Sequence, residues 1–177
     1  MIFKECQLKD VRLILQEPVK DERGFFSRTF CKKAFEEQGI DFEAVQCNLS
    51  YNEKKGTLRG LHFQRKPFEE GKLVNCISGS IFDVIVDLRR ESETYLQWES
   101  FLLSKKNRRI LYIPKGFAHG FQTLEDHTEV FYQMNAFYHP ECAEGIRWDD
   151  PQFGIEWPEV SKRIISEKDR NYKGFVG

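Results

Sequence analysis

Three stretches of this chain set titratable side chains among residues that favour strands. They are Leu58-Arg59-Gly60-Leu61-His62-Phe63-Gln64, then Lys72 ten residues after the histidine, then Ile113-Pro114-Lys115-Gly116-Phe117-Ala118-His119-Gly120-Phe121. An ionisable group in a half-buried strand costs free energy unless it is paired or faces a cleft, so the pattern points to a site. Strand alternation puts His62 and Gln64 on the face opposite Leu61 and Phe63. The competing reading of His62 is a satisfied, partly buried histidine. His119 follows a Pro-x-Gly turn and precedes Gly120, a setting that aims a side chain sharply; its alternative is a loop histidine bonded to backbone. His127, in an acidic turn, and His139, before Pro140, read as surface residues.

These residue types suit removal of a proton from a carbon beside a carbonyl. Such chemistry needs a base titrating near neutrality, a group that orients it, a cation to stabilise the enolate oxygen, and an acid on the opposite face. His62 is the natural base, with a buried carboxylate on its second ring nitrogen to fix the tautomer. Lys72 is the natural partner of a developing oxyanion, because an ammonium counts for more in a low-dielectric cleft. Tyr132, in Glu129-Val-Phe-Tyr132, can supply the acid. Taken singly, each has a plainer reading. Arg59 and Lys72 could be ion-pair partners of Asp83 or Asp87, and Tyr132 and Tyr138 could be core aromatics.

The elements that must position these groups read as β-structure. From Lys72 to Leu88 the sequence gives two strands joined by a tight turn at Ser78-Gly79-Ser80. In the second, Phe82, Val84, Val86 and Leu88 share one parity and Ile81, Asp83, Ile85 and Asp87 the other, which suggests a core face and an acidic face. Further strands are expected near 97–104, 109–113 and 128–138. Phenylalanine, at 16 of 177 residues, often alternates with polar neighbours, which favours aromatic-lined sheet faces. Residues 31–38 make a short helix between Thr29 as cap and Gly39 as stop, and a helical turn is expected after Ser161. The tail from Asn171 to Gly177 is expected to fray.

Composition sets the class. The length fits one domain, 1–177, large enough for a single core. A net charge of −1, with both signs dispersed, gives no reason to invoke nucleic acid or an anionic membrane. Five scattered cysteines without Cys-x-x-Cys spacing argue against a disulfide framework and a structural zinc, and make the cytosol the expected compartment. No run of signal or membrane-span length is present.

Several blocks together carry a specific resemblance: Asp21-Glu-Arg-Gly-Phe-Phe26, Leu58 to Gln64, Gly71-Lys-Leu-Val74, Phe82 to Arg89, Ile113 to Phe121, Trp148-Asp-Asp-Pro151 and Gly154-Ile-Glu-Trp-Pro158. In this order and spacing the sequence resembles the dTDP-4-dehydrorhamnose 3,5-epimerase family over nearly its whole length. The resemblance implies an all-β, cupin-type jelly-roll barrel with short flanking helices, a homodimer, and no metal or other cofactor. It implies His62 as base, Asp169 as its carboxylate partner and Tyr132 as acid, acting on a nucleotide-diphosphate 4-keto-6-deoxy sugar. Arg59, Lys72 and His119 match positions that hold the sugar and its keto oxygen. Arg23, Gln46, Asn48 and Lys168 match contacts to the nucleotide diphosphate, and Tyr138 the aromatic that stacks on the base. Without the resemblance, Asp169 could merely cap a terminal helix.

The pattern is not matched everywhere. Metal-binding cupins use a His-x-His pair, whereas His62 is followed by Phe63 and Gln64, so two scattered histidines make a poor metal cage. Arg28 stands where many family members have glutamate, Cys47 where they have aspartate, and Ala143 where a glutamate is common, with Glu144 one place on. Arg28 and Glu144 therefore join the residues expected to contact substrate. Thymidine is the expected nucleoside. Inversion at C3 only or C5 only, a 3,4-ketoisomerase, and a non-catalytic sugar-nucleotide-binding module remain as alternatives.

Overall fold

The computed structural model describes residues 1–176. Its strands, in chain order, are β1 (Ile2–Glu5), β2 (Arg12–Leu15), β3 (Val19–Asp21), β4 (Gly24–Phe26), β5 (Gln46–Asn52), β6 (Thr57–Gln64), β7 (Lys72–Ser78), β8 (Ser80–Asp87), β9 (Trp98–Ser104), β10 (Arg109–Ile113), β11 (Phe117–Thr123), β12 (Thr128–Met134), β13 (Ala143–Gly145) and β14 (Ile164–Ile165). Two short helices, α1 (Lys32–Glu36) and α2 (Glu167–Arg170), flank them. One sheet runs β1-β2-β10-β7-β12-β5 and the other β13-β6-β11-β8-β9; both are antiparallel, except that β14 adds in parallel to β6. The two sheets face each other as a cupin-type jelly roll, as expected from the many short strands. A separate ribbon, β3–β4, stands off them.

Much of each sheet is covered on both faces, which explains the apolar runs in strands such as β8, while β5 at the sheet edge stays open on its outer side. The space between the sheets is filled by Val74, Cys76, Ile81, Ile85, Leu111, Phe121 and Val130, among others. The outer face of the second sheet is closed by Ile146, Phe153 and Trp157 from the C-terminal segment, which pack on Leu58, Leu61, Val84, Val86 and Ala118. Phe35, Ile40 and Phe42, on and after α1, cover Leu73, Ile14 and Ile110 of the first sheet. Burying one such side chain contributes about 1.5–3 kcal/mol, so the covering segments are part of the core.

Two expectations change here. The turn at Gly79 (φ +71°) joins β7 and β8, but the strands do not pair as a hairpin: β7 lies between β10 and β12, and β8 between β11 and β9. The turn carries the chain from one sheet to the other. Nor is β8 acidic on a free face, because Asp83 and Asp87 are both wholly buried. Asp87 is accommodated by accepting from the Arg89 guanidinium at 2.8 Å and from the hydroxyls of Ser92 and Thr94 at 2.6 and 2.7 Å.

The helices also differ in detail. In α1, Cys31 is the N-cap residue with no side-chain bond, and Thr29 plays no capping part; Gly39 closes the turn at φ +71°. The segment after Ser161 forms β14 instead of a helical turn, and α2 begins only after Ser166, whose hydroxyl accepts from the Asp169 N–H. The strand expected to reach 138 ends at Met134. The tail is held down at Tyr172 and Phe175, while Val176 is exposed. Phe175 packs on Phe153 at 5.8 Å, and its N–H donates to the Asp150 carboxylate at 2.6 Å. Gly177 lies outside the described residues.

One close approach matters for the site. At Gly60 (φ +113°) a Cβ would sit 2.6 Å from the Gly120 Cα and 2.7 Å from the His119 carbonyl oxygen. Only glycine tolerates both the conformation and the contact, and this lets β6 and β11 close up beside the two histidines. His62 and His119 are direct cross-strand partners.

Candidate active site

A cavity of about 460 Å³ opens between the two sheets. The second sheet supplies Arg59 and His62 from β6 and His119 from β11; the first supplies Gln46 and Asn48 from β5, Lys72 from β7 and Tyr132 from β12. Register explains the grouping. Met134 pairs with both Gln46 and Lys72, and Tyr132 with Asn48, so these side chains lie side by side across three strands. Tyr138, Glu144, Lys168 and Tyr172 line the same cavity.

His62 and Asp169 are built as a unit. His62 Nε2 lies 2.8 Å from Asp169 Oδ1, and the Gly60 N–H donates to Asp169 Oδ2 at 3.0 Å. The Asp169 side chain is buried while the His62 ring is 43 % exposed toward the cavity. Burial alone would raise the Asp169 carboxyl, but the hydrogen bond and charge of His62 and the Gly60 N–H outweigh it and hold the group below its usual value. An ionised carboxylate requires a donor, so Nε2 carries the proton and Nδ1 is left as the basic nitrogen. Tyr172 sets its ring edge-on to His62 at 5.9 Å.

A second histidine–carboxylate pair lies behind the first. His119 Nε2 is 2.9 Å from Asp83 Oδ2, which settles His119 as a strand residue held by a carboxylate instead of a loop residue bonded to backbone. Burial raises the Asp83 carboxyl, and the nearby charges of His119 and Lys72 act against that rise. Lys72 Nζ lies 3.0 Å from Glu70 Oε1, and both side chains are buried. Arg59 donates through Nε to Asn52 Oδ1 at 2.8 Å. Neither Arg59 nor Lys72 forms an ion pair with Asp83 or Asp87.

Tyr132 stands on the sheet opposite His62, so a phenol and an imidazole face the cavity from two walls. Burial pushes its phenol above the usual tyrosine value, with Arg59 pulling the other way, so the hydroxyl keeps its proton at neutral pH. Near the mouth, the Tyr138 N–H donates to Gln46 Oε1 at 3.2 Å. Glu144 is ion-paired with Arg65 at 2.6 Å. Lys168 is raised by its bond with the Tyr172 hydroxyl.

Most residues singled out in the sequence therefore converge, but two do not. Arg23 caps the exposed β3–β4 ribbon and pairs with Asp21 at 2.6 Å, and Arg28 is exposed just after that ribbon; neither lines the cavity. His127 is a surface residue as read, bonded to the Tyr51 hydroxyl at 2.6 Å, whereas His139 is half-buried and stacks on Phe68 at 3.5 Å. Three groups at the site escaped the sequence reading. Glu70 sits in an irregular loop with no periodicity to mark it. Asp83 was visible as an acid in an apolar strand but not as the partner of His119. Tyr172 lies in the tail expected to fray. Among the described residues no three His, Cys, Asp or Glu side chains converge as a metal cage, and no helix is long and apolar enough to cross a membrane.

Residues 5–176 match the family described as dTDP-4-dehydrorhamnose 3,5-epimerase. The chain is 51% identical over 174 residues to the dTDP-4-dehydrorhamnose 3,5-epimerase of Methanothermobacter thermautotrophicus, covering 97% of this chain and 92% of that protein. Among solved structures, the dTDP-4-dehydrorhamnose 3,5-epimerase of Bacillus anthracis with TDP and pyrophosphate bound superposes with a TM-score of 0.94 at 42% identity, over 98% of this chain and 100% of that one. The dTDP-6-deoxy-D-glucose-3,5-epimerase of Legionella pneumophila in complex with dTDP-4-keto-L-rhamnose gives 0.93 at 41% identity, over 98% and 92%.

Proposed function

The chain belongs to the dTDP-4-dehydrorhamnose 3,5-epimerase family, and from that premise we propose that its residues invert C3 and C5 of a dTDP-linked 4-keto-6-deoxyhexose through an enolate. The observation that carries the mechanism is a carboxylate-held imidazole on one wall of the cavity facing a protonated tyrosine on the other. The C4 carbonyl acidifies the hydrogens on both neighbouring carbons, so one base and one oxyanion pocket serve each in turn. His62 Nδ1 takes the proton, and Asp169 stabilises the imidazolium that forms. Lys72, with Arg59 and His119 beside it, offsets charge on the C4 oxygen. Tyr132 returns a proton from the opposite face; its phenolate then recovers a proton from solvent and the His62 imidazolium releases one to solvent, which readies both for the second carbon.

Gln46, Asn48 and Lys168 hold the nucleotide diphosphate, and Tyr138 stacks on the thymine, a contact usually worth about 1–3 kcal/mol. Glu144 completes the mouth. The working form is a homodimer in the cytosol. Support comes from the exposed apolar side chains Val19 at 72 % and Phe26 at 72 % on the ribbon and Leu49 at 57 % on edge strand β5, which a partner would cover. A dimer also reconciles Arg23 and Arg28 with a nucleotide-contacting role, because a ribbon lying outside its own cavity can reach that of a second subunit.

The test is incubation with dTDP-4-keto-6-deoxyglucose in heavy water, with deuterium read at each carbon by NMR. His62→Ala should abolish uptake at both positions. Persistent uptake would remove His62 from the role of base, and uptake at one carbon only in the unaltered protein would make it a single-centre epimerase.

A further inference from the structure

Lys72 occupies an unusual electrostatic position. Its ammonium is buried, at 7 % side-chain exposure, and its one ion-pair partner among the described residues is Glu70, itself at 4 %. Glu70 Oε2 has no hydrogen-bond partner, nor has Asp83 Oδ1, so two buried carboxylates near Lys72 each keep one unpaired oxygen. Asp83 is close enough for the Lys72 charge to bear on it, yet the lysine bonds Glu70. The other charged or titratable groups around the cavity are His62 and Arg59 on β6, His119 on β11, Tyr132 on β12, and Tyr138, Glu144, Lys168 and Tyr172 beyond them, and Lys72 is ion-paired with none of these.

We propose that Glu70 is a positioning residue for Lys72, holding the ammonium at the cavity wall and off Asp83, where it can meet the C4 oxygen. Glu70 sits two residues before Lys72, in the loop that ends where β7 begins. That loop is pinned at the next residue: the Gly71 N–H donates to Asn135 Oδ1 at 2.6 Å, and the Asn135 N–H donates back to the Gly71 carbonyl at 3.2 Å. The carboxylate is thus fixed by backbone, and the flexible lysine is fixed by the carboxylate. A buried charge that loses one counter-charge is strongly driven to another. Asp83 Oδ1 is an unpaired buried acceptor on a carboxylate that already feels the Lys72 charge, and an ammonium drawn to it would leave the position where Glu70 holds it.

The inference rests on Lys72 as the group that stabilises the enolate, and the experiment separates the two. Deuterium uptake from heavy water is measured for the unaltered protein, Glu70→Gln, Lys72→Met and the double variant, alongside binding of dTDP. Rates are compared only for variants whose circular dichroism matches that of the unaltered protein, and Glu70→Gln conserves shape. It should slow uptake about tenfold with dTDP affinity changed less than about twofold, and on the Lys72→Met background it should have almost no further effect. Equal slowing on both backgrounds, or none on the first, overturns the positioning role. Uptake unaffected by Lys72→Met would instead refute the role of Lys72 itself. A folded Glu70→Asp variant, with a shorter reach to Nζ, should lie between Glu70→Gln and the unaltered protein; a rate below Glu70→Gln counts against the proposal.

Discussion

Replacing Asp169 by asparagine tests the base most directly, because the side chain keeps its shape and loses only charge and one acceptor. In the native site both carboxylate oxygens are used, Oδ1 by His62 Nε2 at 2.8 Å and Oδ2 by the Gly60 N–H at 3.0 Å. Gly60 can only donate, so the asparagine oxygen must turn toward it and the amide NH2 must face His62. That forces Nε2 to accept, moves the ring proton to Nδ1, and blocks the nitrogen assigned as base. Loss of a hydrogen bond to a charged group costs about 1.5–3 kcal/mol, roughly 10- to 150-fold in rate. The tautomer adds to this; the corresponding change in a Ser-His-Asp triad costs about 10⁴-fold. Uptake of deuterium at C3 and C5 should therefore fall about 10²- to 10⁴-fold, while dTDP binding stays within about twofold. A loss smaller than about threefold, or one confined to KM, would refute the assignment of the tautomer and with it the role of Asp169.

Tyr132→Phe should still exchange deuterium but should fail to invert the carbon it serves; product NMR showing full inversion would make water or another side chain the acid. Mixing Arg23→Ala with His62→Ala subunits, by refolding together, should restore activity that neither has alone, because one mixed site then has an intact His62 and a partner's intact ribbon; no recovery in a demonstrated heterodimer would count against the shared site. Gly60→Ala should cost about 2–4 kcal/mol, read as a urea midpoint, since the residue must hold φ +113° against the Gly120 and His119 backbone. For Asp87, burial raises the carboxyl, but Arg89, Ser92 and Thr94 together bring it below its usual value. Its folded value is depressed, so its contribution is complete above the unfolded value of about 3.9 and is lost as pH falls through the folded one. Asp87→Asn should therefore flatten the decline of stability below about pH 4; an unchanged acid limb in urea titrations would refute this.

The strands that carry His62, Lys72 and Tyr132 are legible from local pattern, whereas β1 to β5, β13 and β14 are not, and Gln46, Asn48, Tyr138, Lys168 and Asp169 follow only from the family resemblance. Alternation puts His62 and Gln64 on one face and both line the cavity, but Phe63 and Arg59, which alternation puts on the other, line it too. What the pattern could not supply was which sheet each strand joins. Ser78-Gly79-Ser80 looks the same whether it closes a hairpin or crosses between sheets, and the alternation in β8 does not reveal that segments about 70 residues on cover its outer face. The tail illustrates the same point from the other side: residues 171–176 lack periodicity, yet Tyr172 and Phe175 are held by contacts with β-sheet and loop residues distant in sequence. Glu70 was hidden for a related reason, since an acid in an irregular loop reads as solvated unless the lysine two places on is known to be buried.

That two-sheet placement is also what the chemistry requires. Inversion at a carbon needs proton removal on one face and delivery on the other, so a base and an acid on adjacent strands of one sheet could at best exchange a proton on the same side. Here β6 and β12 belong to different sheets, with the substrate space between them. The crossing at Gly79 follows from the same division: it carries the chain from β7, which brings Lys72, to β8, which brings the Asp83 that holds His119. A hairpin there would have left Lys72 and Asp83 in one sheet, and the ammonium proposed to meet the enolate oxygen would no longer face the wall that carries His62.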